Sequence, residues 1–506
     1  MKQPSARMSI PNLPPLDPLR PDTAATDEKE PSTVGLKRLP AEIRLMILEK
    51  AFLLDVPKKQ ATPASGRWLR GKAAWPSVCS EWRDFFERRN FASLRLTSAD
   101  EIETFNKVCV QGGRMRLVRR VRLHVGLRRY FALEGSADPE RADEVGWNNH
   151  VFSARFTRLM RVLSAWEPTG AGLTLEFSAS SPSDEEFLPF RRLPDFPPEA
   201  PVPPFLCTPR VYDSVRLLGN LLDFRSSPPS PHYGGGPLGD GVDIELPEVR
   251  GVTRLVVDRG YYRSFSKDAV RSILKSFTRL EEVSYEPWRG REDSRDEAID
   301  ALLRELPDSV RKVALWEAAR PEWPFSKPDR DWLAATAVEA SRRLEFFSAC
   351  FAIDARLFFR DYYRDADGAA PSPPGSWPKL ASLALTSAAL GRSAPGEEAD
   401  RLLHAAGLAA ERMPELRVLE LWTGRDRGFV FRYEADGGRA RLTVEATWQY
   451  ALSGSVLAAW QKTAGALTGN RLEVEVNHIR DVDSGGSVSM CDRLRLGEAV
   501  RVQLPY

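Results

Sequence analysis

Cysteine and histidine are scarce in this 506-residue chain, with five of each. Cys79, Cys109, Cys207, Cys350 and Cys491 are odd in number, far apart and never spaced C-x-x-C. That excludes a disulfide framework and a zinc knuckle, and points to a reducing compartment. The histidines, His124, His150, His232, His404 and His478, are dispersed, with no H-E-x-x-H and no cysteine at ligand spacing. No metal, no cofactor and no Cys/His dyad is therefore expected. Net charge is also small: 72 Lys+Arg against 70 Asp+Glu leave +2. No global field selects nucleic acid or an anionic membrane, so neither is an expected partner. The sequence contains no N-x-[ST] acceptor, and its first thirty residues have no apolar core of the kind a secretory signal needs. Asp17, Asp22, Asp27, Glu28 and Glu30 oppose a mitochondrial transit peptide, and the longest apolar stretch, Leu380–Leu390, is far short of a membrane span. The expected location is the cytoplasm or nucleus.

What is present is a globular composition, 42% hydrophobic and 28% charged, on a chain long enough for about three domains. Residues 1–35 are Pro-rich without period and read as a disordered tail. From Leu39 a helical stripe begins, Leu39, Ile43, Ile47, Ala51 and Leu54, with Pro40 in the first turn. A polar insert at 55–72 separates it from a second helical spacing, Val78, Trp82, Phe85 or Phe86, then Phe91 and Leu94. These define a small all-α unit over 36–98.

Beyond it the pattern becomes strand-like. VTRLVV (from Val252), LEEVSY (Leu280), VRKVAL (Val310), LEFFSA (Leu344), LASLAL (Leu380) and LRVLEL (Leu416) share one phase, their starts 28, 30, 34, 36 and 36 residues apart. Helical stripes lie between them, at Val270, Ile273, Leu274 and Phe277, at Ile299, Leu302, Leu303 and Leu306, and at Leu402, Leu403, Ala406, Ala410 and Met413. One L-x-x-L-x-L strand and one helix per unit imply an α/β fold of irregular leucine-rich-repeat-like solenoid type over 99–425. LVRRVRLHV (Leu117–Val125) and LTLEFS (Leu173–Ser178) read as its first turns, and a Pro/Gly-rich insertion at about 189–245, with a helical island at Val211–Phe224, interrupts it. Glu282, Ser284, Lys312, Glu420 and Trp422 are expected to face the open side of the sheet, a surface suited to proteins. FVFRYEA, ARLTVEATW, a helix near Val456–Leu467 and the strand LEVEV form a C-terminal α+β cap over 426–506. The plain alternative is a doubly wound α/β sheet.

Two glycine motifs carry no phosphate chemistry. Gly66–Lys72 fits G-x-x-x-x-G-K, but Ala73 replaces the magnesium-binding Ser/Thr and no strand precedes it. Gly234, Gly236 and Gly239 fit G-x-G-x-x-G without the flanking strand and helix. No acid pair stands out as catalytic. Arg114, Arg116, Arg119, Arg120, Arg122, Arg128 and Arg129 occupy an acid-free window. Arg120 and Arg122 alternate with Val121 and Leu123 as the solvent face of a strand, suited to an acidic or phosphorylated peptide more than to nucleic acid.

LKRLPAEIRLMILEKAF followed by SVCSEWRDFFERRNFASLRL resembles the F-box, whose pattern is an L-P-x-E-I start, an I-L turn and V-C-x-x-W. Leu39, Pro40, Glu42, Ile43, Ile47, Leu48, Val78, Cys79 and Trp82 carry it, and the E-I-R variant with EW-x-x-FFE is similar to F-box proteins of fungi. SPSD (Ser181–Asp184), YEPW (Tyr285–Trp288), LALTS (Leu383–Ser387) and MPELRVLELW (from Met413) extend the likeness over most of 36–460. The resemblance implies the substrate receptor of an SCF-type cullin-RING ubiquitin ligase. Leu39, Pro40, Glu42, Ile43, Ile47, Leu48, Val78 and Trp82 would dock on the ligase's adaptor subunit, linking the chain to the cullin. The repeat domain would hold a protein substrate, with Arg120, Arg122 and Trp422 as contacts. Catalysis would come from proximity, with no catalytic residue in this chain. Core packing is the plain alternative for each residue, and an interaction scaffold acting without a ligase is the alternative function.

Overall fold

The computed structural model describes residues 39–54, 75–129, 142–166, 172–183, 221–224, 244–257, 264–286, 292–317, 330–363, 375–392, 394, 396–424, 428–479 and 490–500. The expected tail at 1–35 and insert at 55–72 lie outside them. The chain divides after Phe85 into two compact units.

The first unit is helical. Helix α1 (Ala41–Leu54) starts at Pro40, whose carbonyl accepts from Arg44 N at 3.1 Å, and it contains no residue of poor helix propensity in its first two turns. A 3-10 turn (Trp75–Ser77) leads into helix α2 (Ser80–Ala92), which runs through the division between the units.

The second unit is built on a twelve-stranded sheet. Its strands are β1 (Ser93–Leu96), β2 (Arg120–Gly126), β3 (Leu173–Ser180), β5 (Val252–Val257), β7 (Glu282–Tyr285), β8 (Lys312–Trp316), β9 (Phe346–Asp354), β10 (Ser382–Thr386), β11 (Val418–Thr423), β12 (Phe429–Asp436), β13 (Arg439–Ala446) and β14 (Leu472–His478). The two remaining strands, β4 (Leu221–Leu222) and β6 (Ser264–Phe265), pair only with each other. In the large sheet spatial order follows chain order. Pairing is parallel from β1 to β11, antiparallel across β11–β12–β13, and parallel again to β14. Strand order never reverses, so the crevice that a doubly wound sheet opens at its switch point has no counterpart among the described residues.

The repeat seen in the sequence has a backbone basis. The leading Val310, Leu344, Leu380 and Leu416 each close a turn onto the carbonyl three residues earlier, and all are buried. The next residue then donates to its equivalent in the preceding strand unit: Glu281 N to Thr253 O, Arg311 to Glu281, Glu345 to Arg311, Ala381 to Glu345 and Arg417 to Ala381, all at 2.8–2.9 Å. Within the strands, period-2 alternation sends one register row into the helix-covered core: Val121, Leu175, Leu255, Val283, Val313, Phe347, Leu383 and Leu419. Against it pack helices α5 (Lys267–Ser276), α6 (Glu292–Arg304) and α8 (Gly396–Ala410), through the stripes expected of them. Helices α3 (Ala99–Phe105), α4 (Ala142–Ser164) and α7 (Asp331–Ser341) join the same core without having been expected.

Three boundaries are corrected. Residues 93–96, placed with the helical unit, are the first strand of the sheet, because Arg119 N and Ala92 O already start its ladder at 2.9 Å. Inside the expected 189–245 insertion, Leu221–Leu222 are a strand rather than the end of a helix. Leu222 and Phe224 are buried, Phe224 stacking on Phe152 with centroids 5.4 Å apart. The segment after 425 is a continuation of the sheet, although β12, β13, the helix Gly454–Thr468 and β14 fall where the sequence puts them.

Candidate functional site

In the helical unit, Arg44 joins the two helices through an ion pair to Glu81 at 2.9 Å, and its Nη1 donates to Leu39 O at 3.0 Å. Around this brace the apolar side chains point mostly outward. Ile43 is 41% exposed, Leu45 48%, Met46 56% and Val78 60%. These are four of the seven large hydrophobics that are exposed among the described residues, on a small fraction of the chain. Isolated exposed apolar residues need no explanation, whereas these four lie together on one small helical unit.

Of the expected adaptor contacts, Pro40, Glu42, Ile43 and Val78 are exposed, and Leu39, Ile47 and Trp82 are half-buried. Leu48 is fully buried. Leu45 and Met46 were missed because they lie off the i, i+4 stripe; α1 is apolar nearly all round, a pattern that the stripe conceals.

The expected target contacts fare differently. Arg120 is half-buried. Arg122 ion-pairs at 2.6 Å with Glu176, a carboxylate only 3% exposed on the neighbouring strand. Arg114 reaches Glu87 at 3.2 Å and Arg128 lies 4.0 Å over the Trp147 ring. The window free of acids in sequence thus receives acids and an aromatic from other elements. Further along the same face, Arg254, Glu282 and Lys312 form an ion-pair ladder across β5, β7 and β8, at 3.5 and 2.8 Å.

Trp422 does not lie open to solvent: it is fully buried, as is Glu420. The alternation places both on the helix-free face, as expected, but the segment 490–500 covers them there. Burial pushes the neighbouring Cys350 thiol up to about 12, and Cys109 to about 11, so neither is a thiolate at neutral pH. Among the described residues no group of three or more His, Cys, Asp or Glu is arranged to hold a metal.

Residues 305–501 match a family model described as a family of unknown function, DUF6546. The match takes in β8 to β14 together with the segment that covers Trp422. No curated protein matches the chain.

Proposed function

We propose that this chain is the substrate-recognition subunit of an SCF-type ubiquitin ligase. In this role the F-box-like unit docks on the ligase's adaptor subunit and so on the cullin. The repeat sheet, an irregular leucine-rich-repeat-like solenoid, holds a protein target near the charged conjugating enzyme. The observation that carries the proposal is the exposure of Ile43, Leu45, Met46 and Val78 on the helical unit whose sequence resembles the F-box. Side chains of that kind gain about 25 cal/mol per Å² of apolar surface when a partner covers them. Chain-order strand pairing and the recurring turn before each strand support the solenoid half. The chain acts by tethering, supplies no catalytic group or cofactor, and works in the cytoplasm or nucleus without a membrane or nucleic-acid partner.

The test is a pull-down of the full chain with the purified adaptor–cullin pair, comparing wild type with the Leu39→Asp, Pro40→Ala double variant. Retained circular dichroism is the control for folding. Capture by wild type and not by the variant supports the receptor. Capture of neither overturns it and leaves the scaffold function.

A further inference from the structure

The helix-free face changes character at β8. Towards the C-terminus its register row is small, Ala314, Ser348 and Ala384. The next rank is aromatic: Trp316, Phe351 and Trp422, with centroids 5.1–5.8 Å apart. Small side chains beside large ones make a recess, and the segment Met490–Val500 fills it. Met490, Cys491, Leu494 and Val500 form with these aromatics one apolar cluster, separate from the helix-side core. Between Met490 and Leu494 the chain makes a tight turn, with Arg493 N donating to Met490 O and Leu494 N to Cys491 O, both at 3.1 Å.

The polar contacts around the recess are of a general kind. The buried Glu420 carboxylate accepts Arg495 N at 2.8 Å and Leu496 N at 3.0 Å, and its ion pair with Arg432 Nε, at 2.7 Å, holds it in place. Main-chain N–H groups are donors that any peptide supplies. At the rim Arg493 meets Glu445 at 3.0 Å and Arg495 approaches Glu434 at 4.0 Å. The rim therefore favours a segment that presents arginines to Glu434 and Glu445 beside its apolar side chains.

Two features show that the segment is not a complete match. Trp316 Nε1 is buried with no hydrogen-bond partner among the described residues, so the occupant lacks an acceptor that the recess could use. Phe351 is held at φ +59°, a left-handed conformation that a bulky L residue adopts only under constraint. Its N–H donates to Thr386 Oγ1 at 2.7 Å and its ring lies against both tryptophans. Strain of this kind is retained where a binding surface is preformed.

We infer that this recess is the docking site for a target peptide that presents two arginines to its acidic rim, apolar side chains to its aromatics and an acceptor to Trp316, and that Met490–Val500 occupies it in cis until displaced. The inference deepens the target-binding half of the proposed function. Its test contains no ligase component, so its failure is distinguishable from failure of adaptor docking. Because the cis segment is covalently part of the chain, it competes intramolecularly with any free peptide. A free peptide of the same sequence should then bind the intact chain at least about tenfold more weakly than a chain whose tether is cut.

The experiment places a specific protease site within residues 480–489 of the full chain. The cleaved protein is incubated with a fluorescein-labelled peptide of residues 490–500, followed by anisotropy and circular dichroism. Saturable exchange at unchanged ellipticity is expected after cleavage, with binding at least tenfold weaker before it. A Glu434→Lys, Glu445→Lys variant of the cleaved chain should weaken the peptide several-fold, and a scrambled peptide should not bind. A cleaved chain that never exchanges its segment, or that unfolds when the segment leaves, overturns the inference, because the segment is then permanent core. Equal binding before and after cleavage also overturns it.

Discussion

The two halves of the helix-free face are built from the same alternating strands yet treat water oppositely. From β2 to β8 the face carries Arg120, Arg122, Glu176, Arg254, Glu282 and Lys312, with Arg122 paired to a buried Glu176 and the Arg254–Glu282–Lys312 ladder partly exposed. From β8 to β12 it carries alanine, serine and tryptophan, closed by Met490–Val500. A register row fixes only which side of the sheet a residue faces; what lies on that side is decided elsewhere in the chain. Cross-strand ion pairs are satisfied where they stand, whereas a rank of tryptophans exposes apolar surface that something must cover.

The largest consequence of this difference is in stability. Trp422→Ala should empty the covered half and cost about 3–5 kcal/mol in a urea unfolding curve. A loss below about 1 kcal/mol would mean that the covered half is not packed as described. Glu420→Gln keeps the volume but removes the charge facing Arg432 and weakens the acceptor for two backbone N–H groups. About 1–3 kcal/mol should be lost, together with faster modification of the Cys491 thiol as the segment lifts. By contrast Lys312→Ala, in the open half, breaks only an exposed pair to Glu282 and should change the unfolding midpoint by at most about 1 kcal/mol. A larger effect there would erase the distinction between the halves.

The smallest effect is in pH. Cys350 binds its proton more tightly when folded, up to about 12 against an ordinary value of 9.0, so the native state holds more protons than the unfolded state above pH 9. Stability is therefore fully present below about pH 9 and falls as pH rises towards 12. Between about pH 8 and 9.5 the share lost through Cys350 should stay below about 1 kcal/mol, and Cys350→Ala should remove that share while the part due to Cys109 remains.

How much of this was legible in the sequence follows the same division. The L-x-x-L-x-L phase placed six strands and the stripes between them three helices, because the leading apolar residue, the turn it closes and the strand it precedes are all local. The burial of Trp422 was not legible, since its cover lies some seventy residues further on with no periodic signal of its own. The pairing of Arg122 was hidden for a related reason: Glu176 reaches it from the next strand, fifty-four residues later, so an acid-free window in sequence is not acid-free in space. In the helical unit the L-P-x-E-I start located α1, while Leu45 and Met46 escaped because a single stripe is a poor description of a helix that is apolar on several sides.

The central claim, that the helical unit is a docking surface for the ligase adaptor, is tested most directly by calorimetric titration of the full chain with the purified adaptor–cullin pair. The comparison is with an Ile43→Asp, Val78→Asp variant, whose changes fall on exposed positions and should leave the fold intact. Saturable binding by wild type, weakened by the variant at least a hundredfold at unchanged circular dichroism, is the predicted result. Binding of equal strength by both proteins, or by neither, would contradict it.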